Sequence, residues 1–243
     1  LRKESYDAPV TLSAERAKLV TDFYRENIGR YSVPVMRARA FEYLCRHKTM
    51  YIGRDELIVG ERGPRPKAVP TYPELTCHSE KDLRILHSRA KNSYAVAESD
   101  IAMYRDEIEP FWRGRTMRDR IFEGLSEEWK AAYASGMFTE FMEQRAPGHT
   151  TFDGKFYSKG LMDFKQDIDA ATRALDFLTD PDAVAKREEL SGMSIACDAA
   201  MLFAVRHADA AAGMAATEND PQRRQELERI AANCRRVPAH APR

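Results

Sequence analysis

The chain has 243 residues and is 43% hydrophobic, enough apolar content to core one large or two small domains. Lys+Arg and Asp+Glu each number 38, and the resulting formal charge of zero argues against bulk electrostatic capture of nucleic acid or an anionic membrane. No uninterrupted apolar run approaches the ~20 residues of a membrane span, and Leu1-Arg2-Lys3-Glu4-Ser5 lacks the apolar core of a signal peptide.

In chain order, the pattern predicts a helix over Ser13–Asn27. Ser13 is placed to cap it, and Ala17, Val20, Phe23 and Tyr24 share a face. A second helix is expected over Val35–His47, just after Pro34. Asp55–Gly63 is a short apolar run ending in glycines that reads as a strand or extended segment, and Pro64, Pro66, Pro70 and Pro73 make 61–75 an ordered or extended loop rather than a helix. Helices resume near Ser79. Glu109-Pro110 marks a break, Thr116 and Asp119 have the spacing of a capping box, and Ser126 starts a helix expected to stop just before His149. Asp153-Gly154, between Phe152 and Phe156, suggests a small hairpin near 151–158. Asp180-Pro181 and Asp220-Pro221 each set a capping Asp before a proline, which predicts helix starts at about 181 and 221. Within the first of these, Leu190, Met193, Cys197, Met201 and Ala204 form an apolar stripe. The fold class is therefore mainly α, with a short extended segment near 55–75.

The four cysteines, Cys45, Cys77, Cys197 and Cys234, contain no Cys-x-x-Cys pair, so no metal site is expected, and free thiols fit a reducing cytoplasm. Cys77-His78 is a poor nucleophile–base pair, because adjacent residues rarely align for proton transfer. Gly60 and Gly63 lack the spacing and following helix of a phosphate loop, so nucleotide binding is rejected. His207 reads as a surface or interhelical residue.

The candidate site is the corner Arg145-Ala146-Pro147-Gly148-His149. Pro147 is unfavourable inside a helix and Gly148 admits unusual backbone angles, so His149 is expected at a helix-to-loop turn. It reads either as a hydrogen-bonding or proton-carrying group in a pocket or as a capping or core histidine. Phe138 and Phe141 share a helical face, the usual pattern of core aromatics. Glu140, Glu143 and Arg145 read either as an acid pair with a cation or as a solvated helix face with local ion pairs; the solvated face is favoured for Glu140, while Arg145 fits structure and function equally.

Asp55-Glu56-Leu57-Ile58-Val59-Gly60, then Thr71-Tyr72-Pro73-Glu74, then Phe138 through Thr150, and finally Val237-Pro238-Ala239-His240 follow one another in an order that resembles the N-terminal region of the glycyl radical enzymes. These are the pyruvate formate-lyase-like superfamily. The string from Gly136 to Thr150 resembles the hydroxyproline dehydratases within it. The resemblance implies that His149 and Phe141 bind substrate, the imidazole meeting a hydroxyl and the ring packing on a pyrrolidine face.

For a complete enzyme the resemblance implies a glycyl radical that generates a thiyl radical, hydrogen abstraction beside a hydroxyl-bearing carbon, and loss of water. It also implies an α/β barrel wrapped in helices, commonly a homodimer, and a separate radical S-adenosylmethionine activating enzyme. Other lyase chemistries of the superfamily, and a non-catalytic helical interaction module, are the alternatives. This sequence departs from the family pattern in two ways. None of its cysteines is followed two residues later by Glu, and the glycyl loop string is missing. With no initiator Met and a C-terminus that reads as the approach to another element, a fragment is expected. It should bind no cofactor and carry no catalytic residue of its own, so it should be inactive alone.

Overall fold

The structure, a computed structural model, describes residues 2–138 and 154–242. In chain order the elements are α1 (Arg2–Asp7), β1 (Thr11–Ser13), α2 (Glu15–Asn27), α3 (Val33–His47), β2 (Ala68–Pro70), α4 (Glu80–Ser88), α5 (Glu98–Met103), a π-helical turn (Tyr104–Ile108), α6 (Glu109–Trp112), α7 (Met117–Glu123), α8 (Glu127–Ala134), α9 (Lys155–Ser158), α10 (Leu161–Arg173), α11 (Ala183–Thr217) and α12 (Pro221–Arg236). The chain is mainly α, as its periodicity predicts. It forms two compact units. The first comprises Leu1–Ala8, Asp22–Pro66 and Phe152–Arg243; the second comprises Pro9–Thr21 and Lys67–Thr151.

The first unit is organised by α11, against which α3, α10 and α12 pack. Ala208, Ala211 and Ala215 meet Leu227, Ile230 and Ala231 of α12, and the small side chains let the two helices approach closely. Gly192 lets α11 approach the start of α3 closely, since a Cβ there would make a tight 3.0 Å contact with the Pro34 carbonyl oxygen. Phe23, Met36 and Ala40 form a second buried cluster with Tyr24 and Tyr43. Arg206 donates to the Cys45 and Lys48 carbonyls at 2.6 and 2.9 Å, supplying partners to the C-terminus of α3 that the helix itself cannot. Asp220 caps α12 through the Gln222 N–H at 3.0 Å, with Pro221 next to it, as predicted.

Several expectations for this unit are corrected. Asp55–Gly60 is not a strand. The Gly53 and Glu56 carbonyls accept from Arg223 at 3.0 and 2.8 Å, and Ile58 is 91% exposed, so side-chain bonds replace a ladder. The start of α11 falls at Ala183 rather than 181, because Asp180 accepts from the Asp182 N–H at 2.9 Å and closes a turn first. The buried line of α11 also differs from the predicted stripe. It runs through Gly192, Ala199, His207, Ala208, Ala211 and Ala215, while Met193 is exposed. His207 is thus buried, which rules out the surface half of its surface-or-interhelical reading. Lys155–Ser158 is a helical turn closed by Lys159 N–H to the Lys155 carbonyl at 2.9 Å, not a hairpin strand; the rest of that expected hairpin, Thr151–Asp153, lies outside the described residues.

The second unit holds the extended element expected near 55–75, at Ala68–Pro70. It pairs in parallel with β1, Thr11 opposite Ala68, Leu12 opposite Val69 and Ser13 opposite Pro70. Trp112 donates to Thr21 Oγ1 at 2.8 Å, and Arg16 bonds the Thr71 carbonyl and the Glu74 carboxylate, both at 3.1 Å. Pro110 does not begin a new segment. It lies within continuous helix just after the π turn, a loosening suited to a residue that has no N–H for the ordinary i−4 bond. The helix from Ser126 ends at Ala134, well before His149. The Gly136 N–H donates to the Tyr133 carbonyl and Met137 N–H to that of Ala132, with Gly136 at φ +77°, so a glycine-based C-cap stops it.

Candidate functional site

His149 and Phe141 lie outside the described residues, as do Glu140, Glu143 and Arg145. The chain on either side of them is described, and each flank is tightly held.

On the N-terminal side, α7 is set by a capping box. Thr116 Oγ1 accepts from the Asp119 N–H at 2.9 Å, and the Asp119 carboxylate accepts from the Thr116 N–H at 3.2 Å. The Met117 and Arg118 N–H groups donate to the Glu74 and Leu75 carbonyls at 2.9 and 3.1 Å. The Thr71–Glu74 motif is therefore the anchor of α7. The Arg118 guanidinium then lies 4.3 Å from the Phe122 ring centre and 5.7 Å from that of Tyr133, and it donates to the Tyr133 hydroxyl at 3.4 Å. Tyr133 and Trp129 close on Phe138 at centroid distances of 5.8 and 5.3 Å. Phe138 packs against these rings from beyond the end of α8 and is half-buried, so it does not sit on the helical face its spacing with Phe141 predicted.

On the C-terminal side, Gly160 opens α10. The Leu161 and Met162 N–H groups donate to the Pro238 and Ala239 carbonyls at 2.9 and 3.0 Å, and a Cβ at position 160 would collide with the Ala239 carbonyl and the His240 Cα. Only glycine fits this close backbone approach. The Val237–His240 motif is therefore held against the start of α10.

The described residues also form one polar cleft in the second unit, about 460 Å³, with Cys77, His78 and Trp112 in its wall. Its carboxylates are already engaged. Asp119 belongs to the capping box, Glu109 bonds Arg113 at 3.1 Å, and Asp82 caps α4 through Ser79. Burial alone would raise the Asp82 carboxyl, but bonds from the Ser79 backbone and hydroxyl outweigh it and hold it below the usual range. Burial pushes the Cys77 thiol up to about 12, with Glu109, Asp119 and Asp82 adding to the effect, so no thiolate nucleophile forms there. Among the described residues, no group of three or more His, Cys, Asp or Glu side chains could hold a metal ion. Nor is any helix among them long and apolar enough to cross a membrane.

Sequence reasoning missed Arg118. The available signal was the spacing of Arg118 and Phe122, one turn apart on a helix face, where a cation can lie on a ring.

Comparison with known proteins gives the context of this arrangement. The family described as pyruvate formate lyase-like matches residues 1–243. Trans-4-hydroxy-L-proline dehydratase of Clostridioides difficile is 45% identical over 242 residues, covering 100% of this chain and 31% of that protein. Isethionate sulfite-lyase of Oleidesulfovibrio alaskensis is 33% identical over 243 residues, covering 96% of this chain and 29% of that protein. The crystal structure of hydroxyproline dehydratase from Clostridioides difficile with trans-4-hydroxy-L-proline bound superposes with a TM-score of 0.93 at 45% identity, over 99% of this chain and 30% of that one. The chain thus spans under a third of the length of these relatives. The family match extends over every segment that carried the resemblance, and the chain belongs to the pyruvate formate lyase-like family of glycyl radical enzymes.

Proposed function

We propose that this chain is the helical N-terminal part of a longer glycyl radical dehydratase that eliminates water from a hydroxylated small molecule, trans-4-hydroxy-L-proline or a close analogue. The observation that carries the reading is the 45% identity to the dehydratase over the whole chain, against 33% to the sulfite-lyase. The glycyl radical of the complete enzyme, which lies outside this chain, supplies the hydrogen-abstracting chemistry. This chain supplies part of the substrate pocket. His149 exchanges a hydrogen bond with the substrate hydroxyl, and Phe141 offers an apolar wall to the ring. The chain itself binds no cofactor. The complete protein takes its radical from a radical S-adenosylmethionine activating enzyme, works as a homodimer and acts in an anaerobic cytoplasm.

The test is anaerobic assay of the complete, activated protein with trans-4-hydroxy-L-proline and with isethionate. Loss of one water from hydroxyproline supports the reading; release of sulfite from isethionate replaces it with carbon–sulfur cleavage. A second measurement addresses the pocket. His149→Ala in the complete enzyme removes one hydrogen bond to substrate, for which kcat/KM should fall by roughly tenfold to a hundredfold. Wild-type kcat/KM in that variant would remove His149 from the pocket.

A further inference from the structure

We propose that the open groove between α11 and α12 is the surface on which two copies of this chain meet, about a two-fold axis that passes between Ala231 and Ala232. The inference rests on the functional reading, whose homodimer it deepens by naming the surface.

The groove has a volume of about 560 Å³. Ala212, Ala215 and Ala216 of α11 and Ala231 and Ala232 of α12 line it, and Arg224, Glu228 and Arg235 of α12 form its rim. Alanine side chains leave room for a further helix to approach closely. Gly213 adds to this. It lies inside α11 next to the groove, and a Cβ there would meet nothing within 4 Å. A helix-interior glycine is destabilising relative to alanine, and nothing among the described residues requires one at that position. A backbone arriving from outside would.

The rim charges say which backbone that is. Arg224, Glu228, Ala231, Ala232 and Arg235 recur at i, i+4, i+7, i+8 and i+11, so they share one face of α12. Glu228 stands three and a half residues before the midpoint of Ala231 and Ala232, and Arg235 the same distance after it. Each is therefore about 5 Å along the helix from that midpoint. When a second α12 crosses antiparallel there, Glu228 faces the partner's Arg235, and Arg235 faces the partner's Glu228. Two ion pairs then flank an alanine contact at the axis, the self-complementary pattern of an isologous interface. A parallel crossing would set like charges against each other at both positions, so the charges select the antiparallel one. Arg224 falls beside the C-terminal end of the partner's α12, where the helix dipole favours a cation. The Glu228 carboxylate is exposed and bonds no other described residue, so it is open to a partner. Arg235 bonds Asp209 at 2.9 Å, which fixes its direction at the rim and leaves further guanidinium N–H groups to donate.

The experiment measures the mass of the complete protein in solution over a dilution series, without activation or substrate. Wild type is compared with Glu228→Arg, with Arg235→Glu, and with an equimolar mixture of the two variants. Each variant alone opposes like charges on both sides of the axis and should raise the dimer dissociation constant at least about tenfold. In the mixed dimer every rim pair is again one cation and one anion, so the dissociation constant should return close to the wild-type value. Wild-type dimers in both variants would place the interface on another surface. A mixture as weak as its components would show that these charges do not face each other, and a monomeric wild type would remove the interface altogether. Each of these results overturns the inference. Should Arg235→Glu fail to fold because it loses Asp209, Asp209→Lys is added to restore that bond and the same comparison is made. Turnover plays no part in the readout, so failure to dehydrate hydroxyproline would strike the functional reading and leave the result on the groove standing.

Discussion

His207 is 3% exposed, with its Nδ1 3.0 Å from the Phe203 carbonyl and its ring edge-on to Phe203 at 4.6 Å. Burial depresses its pKa, the charges of Lys48 and Arg206 depress it further, and the bond to Phe203 opposes them. The folded state therefore resists a proton that the unfolded ring accepts near pH ~6.5. The stabilisation is fully present above that value and is lost as pH falls through it toward the lower folded pKa. We predict that the urea midpoint of this chain falls between about pH 8 and about pH 5, and that His207→Gln flattens part of that slope. An unchanged slope in the variant would mean that other groups carry it. The contrast with His149 shows what a sequence displays about a histidine. The Pro-Gly pair before His149 is a local signal from which a corner is expected. The burial of His207 is set by the packing of other elements on α11, which no neighbouring residue announces.

Helix starts are where the sequence was most legible, since a cap is a local contract between residues three apart. Thr116 with Asp119, Ser126 before Glu127, and Asp220 before Pro221 all stand where their spacing predicts. Ser79 with Asp82 forms another capping box at the point where helices were expected to resume. These caps should have measurable weight. We predict that Thr116→Ala, whose side chain is buried, destabilises the second unit by ~1–2 kcal/mol, and that the half-buried Ser79→Ala costs less, ~0.5–1 kcal/mol, each read from urea denaturation. Equal losses would show that burial of the cap does not matter here. Less was legible where a partner lies far along the chain. The pairing of β1 with β2 joins residues separated by two helices' worth of sequence, and three-residue strands carry almost no alternation to read. The run Asp55–Gly60 had the apolar content of a strand but found Arg223 instead of a neighbouring strand. The substrate-binding assignment of His149 and Phe141 drew on ordered resemblance rather than on geometry, since a single imidazole and a single ring have many uses.

At the scale of the molecule, the chain matches under a third of the length of its relatives while carrying a good deal of uncovered apolar surface. Leu178 is 96% exposed, and Tyr157, Tyr6 and Val33 are also largely open to solvent. Such residues are ordinary when scattered and informative when the remainder of a larger protein is expected to lie beside them. We predict that the isolated 243-residue chain binds a hydrophobic dye strongly and that the complete protein binds far less per mole. Weak dye binding by the isolated chain would mean that these residues need no cover.

Helix α11 extends this to the history of the chain. Its 35 residues span about 50 Å, and along them Gly192 receives Pro34, Arg206 closes α3, and Ala208 to Ala215 seat α12. The helix works as a ruler on which neighbours are docked at fixed marks. Inserting or deleting one residue between Gly192 and Arg206 rotates every later mark by about 100° and swings Arg206 off the carbonyls it serves. Descendants of this chain are free to respell α11 with side chains of similar volume, but they cannot change its length between those two marks.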